Sequence, residues 1–99
     1  MKKVIVLFDA ATDIEKGRDF YNKIDPGAGD YFVRSILSDL DKLSNISGVH
    51  PIVFGYHRML ATKFPFAIYY HTNEKRIEVV AVLDLRRNPI VNYTDLRER

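Results

Sequence analysis

The length, composition and charge of this chain exclude several classes of protein. Its 99 residues contain no cysteine, which excludes disulfides and thiolate metal sites, and its three histidines, His50, His57 and His71, are too far apart in sequence to form a recognisable metal-ligand cluster. The net charge is only +2, and no apolar run approaches the roughly 20 residues of a membrane-spanning helix. We therefore expect one soluble cytoplasmic domain, residues 1–99, with no metal, no cofactor and no membrane partner.

The first half of the chain predicts one strand followed by two helices. Val4 to Phe8 is an apolar run rich in β-branched residues and too short for a signal peptide, so it predicts a buried central strand. A helix is predicted at about 12–23, because Thr12 and Glu15 have capping-box spacing and apolar residues recur at helical intervals. A turn rich in Pro and Gly ends this helix, and a broad apolar stripe predicts a second helix at about 30–44.

The second half predicts three strands, at about 53–60, 66–72 and 77–85, joined by short polar links. Links of this length favour antiparallel hairpins, because a parallel crossover needs a dozen or more residues. The predicted fold class is therefore α+β with the order βααβββ, in which a two-helix hairpin packs on one face of a small, mainly antiparallel sheet.

Positive charge is concentrated in the same half. Residues 57–99 hold eight Lys or Arg against five acids, whereas residues 1–56 hold seven against eight. This imbalance favours an anionic partner for the second half of the chain.

Residues 55–70 and 76–89 resemble the RelE/ParE toxin superfamily, and in particular its plasmid-stabilisation branch. The motifs that carry the resemblance are, in chain order, Arg58 before Met59-Leu60, then Phe64-Pro65-Phe66 at the opening of a strand, then Arg86-Arg87 and Pro89 after the next strand. Residues 13–32 are similar to that branch in the aromatic end of the first helix and in the Pro-Gly-x-Gly turn. The resemblance covers nearly the whole chain and implies the same order of elements.

The resemblance also implies a toxin of a type II toxin-antitoxin system. Its partner would be a cognate antitoxin, an acidic product of an adjacent gene, with an arm that folds on the toxin and masks its basic surface. One branch of the superfamily is an endoribonuclease, or mRNA interferase, that cleaves messenger RNA on the ribosome, and the other inhibits DNA gyrase without nuclease chemistry. We expect ribosome-dependent mRNA cleavage or a related block of translation, with gyrase inhibition or a non-toxic orphan domain as alternatives.

RNA cleavage through the 2′-hydroxyl needs a base, an acid and cations for the phosphate charge, and the resemblance implies basic side chains on the sheet and an aromatic hydroxyl near the end of the chain. The catalytic positions predicted on this basis are Arg58, Lys63, Arg86 and Tyr93. Contacts with RNA or with the antitoxin are predicted for Arg58, Arg86, Arg87 and His57. The ribonuclease branch tends to carry lysines just before the second predicted strand, and residues 47–55 contain none, which counts against nuclease chemistry.

Structural roles compete with these assignments. Arg58 could equally pair with a carboxylate such as Asp84. Arg86 and Arg87 are neighbours and would point to opposite faces of a strand, so that at most one of them faces a cleft. By the same alternation His57 points away from Arg58, which favours a structural role for the histidine. The hypothesis on which the site depends is that the last three strands present their arginines in one basin.

Overall fold

The computed structural model describes residues 2–99, and within them a mixed five-stranded sheet is combined with three helices. The elements are, in chain order, β1 (Lys3–Val6), α1 (Phe8–Ile24), α2 (Ala28–Leu43), β2 (Ile52–Val53), β3 (Tyr56–Leu60), β4 (Phe66–Thr72), β5 (Arg76–Asp84) and α3 (Pro89–Arg97). The strand order is β1-β5-β4-β3-β2, with β1 parallel to β5 and the other pairs antiparallel. The predicted α+β fold, a helix hairpin on a mainly antiparallel sheet, is confirmed. Each helix of residues 2–99 is too short or too polar to span a bilayer.

The first strand lies at the edge of the sheet, and the prediction of a central strand is wrong. β1 pairs with β5 alone, and its residues are only partly buried. The strand is apolar because α2 packs against one of its faces. An apolar run does not show how many strands lie beside it, because the pairing of β1 is with a segment about 70 residues away in sequence. The capping box is also wrong, because α1 begins at Phe8 and Thr12 lies inside it.

The predicted strand at 53–60 is two strands, β2 and β3, joined by the two-residue turn Phe54-Gly55. Both turn residues have positive φ, 55° for Phe54 and 88° for Gly55. Positive φ at both central positions is the geometry of a type I′ hairpin, whose twist matches that of the flanking strands. The strand predicted at 66–72 is confirmed as β4, and the strand predicted at 77–85 is shifted by one residue.

Helix α3 is missing from the predicted βααβββ order. The Asn88 side chain accepts a hydrogen bond of 3.0 Å from the N–H of Ile90, and Pro89 is the first helical residue. An Asn cap followed by Pro is a helix-start signal that the sequence does contain. The helix nevertheless lacks an apolar stripe, because only Asn92 and Leu96 are buried, and periodicity therefore did not reveal it.

The two sides of the sheet are covered differently, and we name them the hairpin face and the α3 face. Helices α1 and α2 cover the hairpin face over a large core that includes Phe32, Ile36, Leu40, Ile68, Tyr70 and Val79. The two helices approach closely at Gly17, where a Cβ would overlap the ring of Phe32. The α3 face has a smaller cluster, formed by Ala67, Tyr69, Val80, Ala81, Leu83 and Leu96.

A β-bulge in β5 supports an internal ion pair. The register steps from Tyr69 opposite Ala81 to Tyr70 opposite Val79, which leaves Val80 as the extra residue. Next to it, the N–H of Val82 donates to Asp13 at 3.0 Å, and the carbonyl of Val80 accepts from Arg99 at 3.2 Å. Arg99 also donates to both oxygens of Asp13, and this hydrogen-bonded partner raises the pKa of Arg99. The pair thus satisfies backbone groups beside the bulge and joins α1, β5 and the segment after α3.

Candidate functional site

Arg58 is the centre of the candidate site on the α3 face. It lies on β3 opposite Tyr69 of β4, and cross-strand partners point to the same side of a sheet. Because Tyr69 belongs to the cluster beneath α3, Arg58 also points to the α3 face. The expected pairing with Asp84 is absent, since Asp84 binds Arg86. Within residues 2–99 Arg58 forms no ion pair, and its Nε is buried without a hydrogen-bond partner.

An arginine in this state is suited to bind an anion. A buried donor without a partner costs about 1–3 kcal/mol, so the fold does not satisfy this guanidinium completely. The planar guanidinium presents its donors in a fixed fork that fits both kinds of anion. Among the three predicted arginines, Arg58 is therefore the one whose guanidinium is not paired with an acid of the protein itself.

Phe54 and Tyr93 form an aromatic pair on the same side of the molecule. Their ring centroids are 5.2 Å apart at an interplanar angle of 55°, and the side chains are 40% and 41% exposed. The guanidinium of Arg97 lies 5.8 Å from the centroid of the Tyr93 ring. The β2-β3 turn thus reaches α3, and an exposed apolar surface lies on the face to which Arg58 points.

Arg87 fastens α3 to the end of β5. Its Nε and Nη2 donate to Oδ1 of Asn92 at 2.8 and 2.5 Å, and Nη2 also donates to Asp95 at 2.7 Å. The buried Asn92 in turn donates to the carbonyl of Asp84 at 3.0 Å. These partners occupy the fork of Arg87, so its main contribution in this structure is to the position of α3.

Arg86 and Lys63 lie on the hairpin side. Arg86 donates to both oxygens of Asp84, at 3.0 and 2.8 Å, and its guanidinium lies 5.6 Å from the ring centroid of Phe20 on α1. Burial alone would raise the pKa of Asp84, but the hydrogen bonds and charge of Arg86 outweigh it and lower the pKa. Lys63 precedes β4, and its Nζ lies 5.2 Å from the ring centroid of Tyr31 on α2.

His57 points to the hairpin face, where it belongs to a small cluster of ring side chains. Its Nδ1 lies 2.7 Å from the carbonyl oxygen of His50, and its ring stacks on Tyr70 at 5.1 Å. Nδ1 of His50 lies 2.5 Å from the hydroxyl of Tyr70, which also accepts the N–H of Gly48. Burial and the neighbouring His57 lower the pKa of His50, and burial raises the pKa of Tyr70.

The predicted site residues are therefore divided between two sides. Arg58 and Tyr93 share the α3 face, whereas Lys63, Arg86 and His57 lie on the hairpin side. The hypothesis of one basin for the three arginines is wrong: Arg86 is held against α1, Arg87 is held against α3, and Arg58 alone has no acidic partner. In the described part of the chain, no group of three or more His, Cys, Asp or Glu side chains could hold a metal ion.

Sequence reasoning missed Phe54, although a signal for it exists. Two residues, the second of them Gly, that separate two short segments of alternating apolar residues are typical of a two-residue hairpin turn. The pair Phe54-Gly55 interrupts the predicted strand in this way. The turn could have been predicted, but the contact of Phe54 with Tyr93 depends on α3.

Comparison with known proteins gives a match in structure alone. No family model and no curated protein matches the chain. The chain is similar to a solved structure described as the chromosomal ParDE TA system from P. aeruginosa, with 19% identity, a TM-score of 0.77, and coverage of 86% of this chain and 97% of that chain. This likeness confirms the RelE/ParE type of fold that the sequence motifs indicate.

Proposed function

We propose that this protein is the toxin of a type II toxin-antitoxin system and that it acts by binding a protein target, in the manner of a gyrase inhibitor, without cutting RNA. The proposal depends on one observation, the separation of the predicted catalytic cations. Arg58 is on the α3 face and has no acidic partner, whereas Arg86 is paired with Asp84 and stacked on α1, and Lys63 is next to α2. A toxin role is consistent with the fold shared with the ParDE structure.

Nuclease chemistry is poorly supported by this arrangement. A general acid and a general base must both come within hydrogen-bond reach of the reacting oxygens, about 2.6–3.2 Å, around a single phosphate. On the α3 face, Arg58 and the Tyr93 hydroxyl are the predicted catalytic groups. His57 points to the opposite face, and His50 is engaged with Tyr70. An anion can bind to the α3 face, but this face does not bring together a general acid and a general base for RNA cleavage.

The partner that neutralises the toxin would be a cognate antitoxin, an acidic protein encoded by an adjacent gene, acting in the cytoplasm. An acidic side chain of the antitoxin would pair with Arg58, and apolar side chains would cover Phe54 and Tyr93. Because the target would use the same surface, antitoxin and target would compete for it. Disordered acidic arms that fold on docking suit this mode of inhibition.

The experiment that tests the proposal is a supercoiling assay with purified gyrase. The wild-type protein is expected to inhibit supercoiling when in molar excess, and the Arg58→Met variant is expected to lose most of that inhibition. Lys63→Met is the matched control, since it removes a cation on the hairpin side and should leave inhibition unchanged. Supercoiling that continues at the same rate in excess wild-type protein would reject gyrase as the target.

Ribosome-dependent mRNA cleavage is the second candidate, because Arg58 and the exposed Tyr93 hydroxyl share one face. Primer extension on translating ribosomes tests it: cuts that appear with the wild-type protein and disappear with Tyr93→Phe would establish the enzyme and overturn the binding mechanism. Growth that is unaffected by induced expression, without cuts or gyrase inhibition, would instead indicate a non-toxic domain of the same fold.

A further inference from the structure

A polar cleft lies on the hairpin side of the molecule, between α2 and the loop that joins β3 to β4. Helix α2 forms one wall with Arg34, Ser35 and Lys42, and the loop forms the other wall with Thr62 and Lys63. The volume of the cleft is about 210 Å³. Sites for drug-sized ligands occupy about 300–1,000 Å³, so this cleft is suited to a compact group of atoms.

The one carboxylate that lines the cleft, that of Asp39, is already bonded within the protein. Asp39 is only 2% exposed. Its Oδ2 accepts the N–H of Thr62 at 2.9 Å, and its Oδ1 accepts the Thr62 hydroxyl at 2.6 Å and Nζ of Lys42 at 3.4 Å. These bonds attach the β3-β4 loop to α2, so the two walls of the cleft are held in place before a ligand binds.

Two cations of the cleft have no acidic partner. Within residues 2–99 neither Arg34 nor Lys63 forms an ion pair, whereas Lys42 is paired with Asp39. Three cations against one carboxylate leave the cleft with a net charge of +2. A cleft with this charge attracts anions, and a dianion would neutralise it.

The Ser35 hydroxyl is a further donor that the protein itself does not use. Ser35 is only 8% exposed, and it lines the cleft. A serine inside a helix can bond to the carbonyl of the preceding turn, but in the described part of the chain the Ser35 hydroxyl forms no hydrogen bond. Among residues 2–99, the only buried side-chain atom that is closed to solvent and has no partner is Nε of Arg58. The Ser35 hydroxyl is therefore open to the cleft, where it can donate to a ligand.

We propose that this cleft binds the phosphate group of a small phosphate monoester. Arg34 and Lys63 pair with phosphate oxygens from the two walls, and the Ser35 hydroxyl donates to the same group. A phosphate monoester carries a charge of about −1.5 to −2 at pH 7 and has three acceptor oxygens, whereas a carboxylate has one charge and two oxygens. The phosphate group therefore matches both the charge of the cleft and its three donors. The inference goes beyond the proposed function, because the cleft lies apart from the α3 face.

The ring of Tyr31 provides a contact for the rest of the ligand. Tyr31 lines the same cleft and is 44% exposed, and Nζ of Lys63 lies 5.2 Å from the centroid of its ring. Nucleic-acid bases stack on exposed aromatic side chains. A nucleoside monophosphate combines a phosphate group for the cleft with a flat ring for Tyr31, so AMP is the probe chosen for the test.

The test measures the binding of AMP, inorganic phosphate and adenosine to the full chain by isothermal titration calorimetry in dilute buffer at pH 7.5. AMP and phosphate are expected to bind with dissociation constants below about 1 mM, whereas adenosine, which has no phosphate group, should not bind. Arg34→Met should weaken both at least about tenfold, because it removes a charge-assisted hydrogen bond. Ser35→Ala should weaken both about threefold or more and leave the melting temperature unchanged, because it removes no hydrogen bond of the protein.

The matched control is Lys75→Met, which removes the same charge from an exposed position in the turn between β4 and β5. It should leave the binding of AMP and phosphate unchanged. A second control uses pH. AMP should bind more weakly at pH 5.5 than at pH 7.5, because the second pKa of a phosphate group is about 6 and the cleft favours the dianion. Sulfate is a dianion at both pH values and should bind equally at both.

Several results would overturn the proposal: no binding of AMP or phosphate at millimolar concentration, equal binding by the wild-type protein and Arg34→Met, an equal loss in Lys75→Met, or AMP binding that is as strong at pH 5.5. Displacement of AMP by oligouridine without a terminal phosphate, at a similar concentration of nucleotides, would assign the cleft to nucleic acid and would also overturn it. Tighter binding of AMP than of phosphate would support a nucleotide ligand, and equal binding would support recognition of the phosphate group alone. These outcomes are independent of the gyrase assay, which tests the α3 face.

Discussion

Asp13 and Arg99 are 86 residues apart in sequence, and they form a two-bonded ion pair in which the side chains are only 8% and 15% exposed. The same two side chains hold the N–H of Val82 and the carbonyl of Val80 beside the bulge. The pair therefore connects the helix hairpin, the longest strand and the segment after α3, and it does so where β5 has passed the end of β1.

Asp13→Asn is expected to destabilise the fold strongly. The variant removes the charge of the carboxylate to which the largely buried Arg99 donates, and breaking a buried pair in this way costs about 3–5 kcal/mol. Urea denaturation followed by circular dichroism measures the change. Asp19→Asn is the control, because the exposed pair of Arg18 and Asp19 should contribute less than about 1 kcal/mol. A loss below 1 kcal/mol in Asp13→Asn would show that the pair is not structurally important.

Arg58→Met should separate stability from function. Removal of the partnerless buried Nε, with an apolar side chain of similar length in its place, is expected to raise the free energy of unfolding by about 1 kcal/mol. The same variant should lose binding to the target. Arg87→Met is the contrasting variant. It removes the hydrogen bonds of Arg87 to Asn92 and Asp95 and should lower the free energy of unfolding. If Arg58→Met also lowers the free energy of unfolding, Arg58 supports the fold and its role as an anion receptor weakens.

Gly17→Ala tests the contact between the two helices. Helix propensity alone favours Ala over Gly by about 1 kcal/mol. In α1, however, the added Cβ overlaps the ring of the buried Phe32, and overpacking of a core costs about 1–3 kcal/mol. We expect net destabilisation in thermal unfolding. Lys16→Ala, at the neighbouring position of the same helix, should leave the melting temperature nearly unchanged.

The His50-Tyr70 contact predicts a loss of stability in mild acid. Burial and the proximity of His57 lower the pKa of His50 in the folded protein below the value of about 6.5 for the unfolded chain. Protons therefore bind the unfolded state more readily than the folded state. The contribution of neutral His50 to the free energy of unfolding is fully present above pH 6.5 and is lost as the pH falls through the pKa of His50 in the folded protein. Urea denaturation at pH 7.5 and at lower pH measures the loss. In His50→Asn the loss should be smaller, and an identical pH profile in the two proteins would contradict the prediction.

Short-range patterns predicted the helix hairpin and the antiparallel half of the sheet, because both depend on the spacing of residues that are close together in the sequence. The apolar stripe of α2 and the short links between the last three strands are read from neighbouring residues, and β4 was predicted to its exact ends. Helix α3 was missed because it has nine residues and buries only Asn92 and Leu96, so that its sequence contains almost no helical repeat of apolar residues. The edge position of β1 was not predicted because it depends on which strands pair in the folded sheet. The division of β2 from β3 was not predicted because the turn at Phe54 and Gly55 lies inside a segment that looks like one continuous strand.

The sequence by itself determined the class of fold, the motif positions and the presence of basic side chains in the second half, because these follow from residue type and spacing along the chain. Only the tertiary structure decided which arginine is available to bind an anion. That property depends on which acids and which helices surround each guanidinium after folding. Asp84 and α1 hold Arg86, α3 holds Arg87, and Arg58, on the other side of the sheet from Arg86, is left without an acidic partner.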